Sequence, residues 1–178
     1  MKHVLGVLVD NHPGVLSRVS GLFSRRGFNI DSLAVGETEN PRISRITIVV
    51  DGDEYIVDQL VKQLNKLINV IKVSVISEDS ISRELALIKV RATPATRNQI
   101  VDIVNIFRGK VVDVNRDSVI VEITGDSKKI AALEEMLEDF GILELVRTGT
   151  IAMDRGMKMV KYIHPENEEE VYYGKNVL

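Results

Sequence analysis

The chain has 178 residues, 44% of them hydrophobic and 28% charged, with a net charge of -3 and no cysteine. That length suits one mid-sized domain or two small ones, and that apolar fraction can bury a core. The acidic balance gives no global attraction to nucleic acid or an anionic membrane, and zero cysteines exclude disulfides, thiolate nucleophiles and cysteine-based metal sites.

Met1-Lys2-His3 leads straight into a strand pattern. A charged n-region with an apolar h-region is missing, so no signal peptide is expected. Apolar runs are too short to span a bilayer, and the expected location is cytoplasmic. Val4 to Val9 is a continuous apolar run that reads as a strand covered on both faces. The turn Asp10-Asn11-His12-Pro13-Gly14 follows. Val15, Leu16, Val19, Leu22 and Phe23 then recur at helical spacing, and Arg25-Arg26-Gly27 closes that helix. Asn29 to Val35 and Ile43 to Val50 read as strands across a loop containing Asn40-Pro41. Val57, Leu60, Val61, Leu64 and Leu67 form a second helical stripe, and Val70 to Ile76 a fourth strand. The order is β-α-β-β-α-β, a ferredoxin-like unit.

Ser77 to Ser80 is polar and reads as a linker extending to Arg83. The order then repeats. Leu85 to Val90 is a strand, and Thr93-Pro94 opens a helix striped by Ile100, Ile103, Val104 and Phe107. Lys110 to Val114 and Ser118 to Thr124 form a hairpin. Asp126 or Ser127 caps a helix carrying Ile130, Leu133, Leu137 and Phe140, and Leu143 to Ile151 is a last strand. The expected fold class is α+β, with two ferredoxin-like domains. Their bounds are 1–78 and 84–157, with a linker at 79–83 and a tail at 158–178 that is open in role.

The turn Asn11-His12-Pro13-Gly14 has two readings. Asn, Pro and Gly are ordinary turn residues, so it is first a strand-to-helix connector. It is also a place for an amino acid. N–H groups of Gly14, Val15 and Leu16 at the helix start can take an α-carboxylate. The side-chain oxygens of Asn11 and Asn29, with a carbonyl near Ile30, can take an α-ammonium. In this topology the turn and the start of the second strand lie at opposite ends of the first helix. One ligand can touch both only where two chains pack with those ends crossed, so the amino-acid reading implies a homodimer.

Other constellations give less. Glu134, Glu135, Glu138 and Asp139 form a solvated helix face before they form an acid–base pair. Arg25-Arg26 are helix-end cations. Ser17, Ser20 and Ser24 have no His/Asp partner pattern, and Gly6, Gly14 and Gly21 have the wrong spacing for a dinucleotide fingerprint. His3, His12 and His164 form no spaced ligand pair, so no metal site and no catalytic residue is expected. RNA binding would need aromatics on the central strands, and Val4 to Val9 and Ile43 to Val50 have none.

Val7 to Val19 resembles the opening of an ACT domain. Gly21 to Leu33, Ser44 to Ile48 and Lys62 to Leu67 narrow the likeness to the regulatory small subunit of acetohydroxyacid synthase (acetolactate synthase). Glu84 to Val90 and Ile106 to Val114 resemble that family's carboxyl-terminal domain. The resemblance implies a non-catalytic subunit that activates a separate catalytic large subunit. It confers feedback inhibition by a branched-chain amino acid, usually valine. Thiamine diphosphate, Mg²⁺ and FAD are then expected on the large subunit and no cofactor on this chain. The family site between two ACT domains maps onto Asn11, His12, Pro13, Gly14, Val15 and Leu16 of one copy and Asn29 and Ile30 of the other. His12-Pro13 stands where family members vary. A freestanding ACT-domain amino-acid sensor and a small ferredoxin-like enzyme are the rival readings.

Overall fold

The computed structural model describes residues 1–161; the acidic stretch Pro165 to Glu170 and Tyr172-Tyr173 lie outside the described residues. The elements are β1 (Lys2–Asp10), α1 (Val15–Arg25), β2 (Ile30–Glu37), β3 (Ile43–Asp51), α2 (Glu54–Leu64) and β4 (Val70–Ile76). These are followed by β5 (Ser80–Arg91), α3 (Arg97–Ile106), β6 (Lys110–Val114), β7 (Ser118–Gly125), α4 (Ser127–Glu138), β8 (Ile142–Arg147) and β9 (Ile151–Asp154). They fall into two compact units. One holds residues 1–81 and the segment starting at Ile151, and the other holds residues 82–150.

The first unit is a β2-β3-β1-β4 sheet with antiparallel neighbours. Alternation decides which face is buried against the helices. Leu5, Val7 and Val9 of β1 and Ile46, Ile48 and Val50 of β3 turn to one side. There they meet Val15, Val19, Leu22 and Phe23 of α1 and Val57, Leu60 and Leu64 of α2. Each such side chain contributes roughly 1.5–3 kcal/mol on burial. Asp53 starts α2 by accepting the Ile56 N–H at 2.8 Å.

The other face of this sheet is covered too, as the unbroken apolar run of β1 predicts. Gly6 lies against Val160, with a Cβ there falling 3.2 Å from Val160 Cγ2. Arg45 donates to the Ala152 carbonyl. Asp154 accepts from the N–H and Oγ of Ser77 at 2.7 and 2.6 Å. Lys158 approaches it at 3.6 Å. Segment 151–161 is thus a strap over the sheet. β9 pairs with β5, whose first residues, Ser80 and Ile81, belong to the same unit.

The second unit repeats the topology as β6-β7-β5-β8. Ala86, Ile88 and Val90 of β5 and Val119, Val121 and Ile123 of β7 pack on Ile100 and Val104 of α3 and Ile130, Leu133 and Leu137 of α4. Asp126 caps α4 through the Lys129 N–H at 2.8 Å. Buried Glu84 is satisfied by Arg147 at 2.7 Å and Thr150 at 2.8 Å.

The expected element order holds in both units, with three local differences. Ser80 to Arg83 are not an open linker, because β5 begins at Ser80. α3 starts at Arg97 rather than at Thr93-Pro94. The Thr93 and Thr96 side chains bond each other's backbone N–H groups at 3.0 and 3.3 Å, which closes a local turn around Pro94 and Ala95. The strand expected over Leu143 to Ile151 is broken after Arg147, at a segment where Gly149 has φ 82°. Its last residue opens β9 instead.

Candidate functional site

The turn after β1 is built from backbone bonds. The Asn11 N–H donates to the Arg42 carbonyl at 2.8 Å, tying the turn to the β2–β3 loop. The Val15 N–H donates to the His12 carbonyl at 3.3 Å. Gly14 caps α1 at φ 85°, with no side-chain cap bond. A Cβ at Gly14 would meet nothing within 4 Å, so glycine is needed there for its left-handed backbone and not for space. Of the three N–H groups expected to face an anion, that of Val15 is therefore taken. Those of Gly14 and Leu16 make no hydrogen bond among the described residues. The first turn carries no acidic residue. The helix start thus keeps its partial positive charge uncompensated. Arg18, in the next turn, donates to Asn69 at 2.8 Å, and Asn69 donates to Asp10 at 3.1 Å.

The far end of α1 is closed by a Schellman motif. The Phe28 N–H returns to the Phe23 carbonyl at 3.0 Å, and that of Gly27, at φ 69°, to Ser24 at 3.2 Å. Phe28 packs on the core, which leaves Asn29 exposed at the mouth of β2 with Ile30 half-buried behind it.

Both asparagines spend their amide hydrogens locally. Asn11 Nδ2 donates to Glu37 Oε1 at 3.0 Å and to the Pro41 carbonyl at 2.9 Å. Asn29 Nδ2 donates to Asp31 Oδ1 at 3.1 Å. Their carbonyl oxygens are left as acceptors, the role assigned to them from sequence. Glu37, Pro41 and Arg18 were missed there, because their involvement depends on β2–β3 and α1–β4 packing that spacing does not encode.

Asn11, His12, Pro13, Gly14 and Leu16 are exposed, whereas the Val15 side chain between them is buried in the core, and Asn29 and Ile30 lie elsewhere. Asp10 pairs with Ile43 of β3, and Ile30 pairs with Val50, seven residues further along. That is about 23 Å of strand. The exposed carboxylates of α4 face solvent, and among the described residues no three His, Cys, Asp or Glu could share a metal ion. No helix of the described residues is long and apolar enough to cross a membrane.

Residues 5–72 match the model of the AHAS small subunit-like ACT domain, and residues 83–156 that of the small subunit of acetolactate synthase. A probable acetolactate synthase small subunit of Archaeoglobus fulgidus is 58% identical over 158 residues, covering 89% of this chain and 99% of that relative. The acetolactate synthase small subunit of Mycolicibacterium smegmatis is 57% identical over 155 residues, 86% of this chain and 91% of the relative. A crystal structure of the acetolactate synthase small subunit from Thermotoga maritima superposes with a TM-score of 0.83 at 45% identity, over 88% of this chain and 98% of that one. A small subunit implies a catalytic large subunit as partner. With both halves matched by family models and relatives alike over nearly their whole length, the chain belongs to the acetolactate synthase small-subunit family.

Proposed function

We propose that this chain is the regulatory subunit of acetolactate synthase, and that it senses a branched-chain amino acid between the ACT domains of two copies. The observation that carries the reading is the position of β2. It is one of the two outer strands of its sheet, the other being β4, and it is the one that carries Val35, 51% exposed, between Ile30 and Glu37. An open edge is a template for pairing. Its two ends are marked: Ile30 lies at the Val50 end of β3 and Glu37 at the Ser44 end, beside Asn11. Antiparallel pairing of β2 with its own copy about a two-fold axis brings the Asn29 end of one chain to the Asn11 end of the other. Each dimer then has two composite sites. Free N–H groups at Gly14 and Leu16 take the α-carboxylate, and the Asn11 and Asn29 oxygens of different copies take the α-ammonium.

Regulation then follows from unequal binding. An effector that grips the paired arrangement more tightly than a loosened one shifts the population toward it, and the large subunit reads that shift. Thiamine diphosphate, Mg²⁺ and FAD belong on the large subunit in this reading, and this chain supplies no catalytic group. Valine is the expected effector. Its discrimination from leucine and isoleucine rests on a methylene or so, about 1–3 kcal/mol.

Calorimetry with L-valine tests the site. Asn11→Ala and Asn29→His should each weaken binding; if both leave it unchanged, the site is misplaced. Adding the chain to a large subunit tests the partner. Faster acetolactate formation that L-valine suppresses supports the reading, whereas no gain and no valine sensitivity would favour a freestanding sensor.

A further inference from the structure

The Asn11 amide is held from two sides, and both holders are acceptors only. Glu37 offers a carboxylate oxygen at 3.0 Å and Pro41 a backbone carbonyl at 2.9 Å. Neither can donate, so chemistry alone fixes which end of the amide faces them. Both hydrogens of Nδ2 are consumed, and Oδ1 faces away from the pair. The holders are themselves fixed. Thr38 Oγ1 takes the Asn40 N–H at 3.2 Å, Asn40 Oδ1 takes the Arg42 N–H at 3.0 Å, and the Ile43 N–H returns to the Asn40 carbonyl at 2.9 Å. The same device recurs at the other half-site, where Asp31 holds the Asn29 amide by its Nδ2. Asp31 is steadied there by Lys2 at 3.2 Å.

We infer that Glu37 is a positioning residue: it locks Asn11 with its carbonyl oxygen outward, so the site accepts a cationic ammonium at that point and disfavours ligands lacking one. The inference rests on the effector-site reading above. Without Glu37, only the Pro41 carbonyl still holds the Asn11 amide, the second hydrogen of Nδ2 loses its acceptor, and the outward aim of Oδ1 and with it the selectivity for the ammonium weaken. Gln at position 37 keeps an acceptor oxygen and should hold the lock.

The test is calorimetry on the full chain with two probes, L-valine and 3-methylbutanoate, which is valine without its amino group. Wild type should prefer L-valine. Glu37→Ala should weaken L-valine about tenfold, the upper range of one lost hydrogen bond, while 3-methylbutanoate changes by less than about twofold. Glu37→Gln should stay near wild type. Equal losses for both probes in Glu37→Ala would show a merely structural role and overturn the inference, as would an unchanged L-valine affinity. Asn11→Ala separates the two levels. If it and Asn29→His both leave L-valine binding intact, the effector site itself fails and the inference with it; if Asn11→Ala alone does so, Asn11 takes no part in binding and the inference is overturned. If Asn11→Ala weakens binding while Glu37→Ala does not, only the role of Glu37 is lost.

Discussion

Asn11 and Asn29 stand at opposite ends of one strand ladder: β3 sets Ile43 opposite Asp10 and Val50 opposite Ile30. The roughly 23 Å between those pairs is several times the length of an amino acid. Either these residues act apart, or a second chain closes the gap. The open edge at β2 makes the second answer geometrically simple.

Gly14 should be sensitive for a backbone reason alone. At φ 85°, with nothing within 4 Å of a built Cβ, Gly14→Ala meets no clash and only strain. The left-handed conformation costs a non-glycine residue about 1–2 kcal/mol. Relaxing that strain re-aims the N–H groups of the turn. L-valine affinity measured by calorimetry should fall, while the circular dichroism spectrum keeps its helical content.

Gly6 reports on the strap. A Cβ there would lie 3.2 Å from Val160 Cγ2 and 3.3 Å from both Arg45 Nη2 and Ile76 Cδ1. These are ends of flexible side chains, so Gly6→Ala should be absorbed at about 1 kcal/mol, the mild end of overpacking. Gly6→Leu cannot be. Hydrogen exchange should then show protection lost across residues 151–161 with that of α1 and α2 retained.

Asp154 ties the strap to β4 through Ser77. Its carboxyl is held below the ordinary carboxylate value: burial pushes it up, but the Ser77 Oγ and N–H bonds and the Lys158 charge outweigh burial. A pKa lower in the folded chain adds stability that is fully present above the unfolded value, about 3.9, and is lost as pH falls through the folded one. Asp154→Ala should destabilise the chain by about 1.5–3 kcal/mol at pH 7 in urea denaturation. The gap from wild type should narrow below about pH 4.

The two β-α-β-β-α-β units were legible because their cores follow period and punctuation. β4 falls on Val70–Ile76 as expected, and the α1 stripe buries Val15, Val19, Leu22 and Phe23. The strap was not legible. Its inward residues are Ala152 and Asp154, while Ile151 and Met153 are 58% and 63% exposed. Hydrophobicity therefore points the wrong way along β9, and bonds to Ser77 and from Arg45 decide its face. In the site, Asn11, Gly14 and Asn29 could be read from turn chemistry and family strings. Glu37 could not, since only strand pairing of β2 with β3 sets it beside a residue 26 positions away.

Mixing two damaged subunits tests the composite site most directly. One carries Asn11→Ala, the other Asn29→His, and each alone should bind L-valine weakly. In a mixed dimer, one composite site gathers both substitutions and the other gathers neither. After unfolding and refolding together, an equal mixture should regain about a quarter of the wild-type high-affinity sites, the random-pairing share for a two-fold dimer. If the mixture regains no high-affinity sites although mixed dimers form, the two asparagines do not meet across chains and the dimer-site account is contradicted.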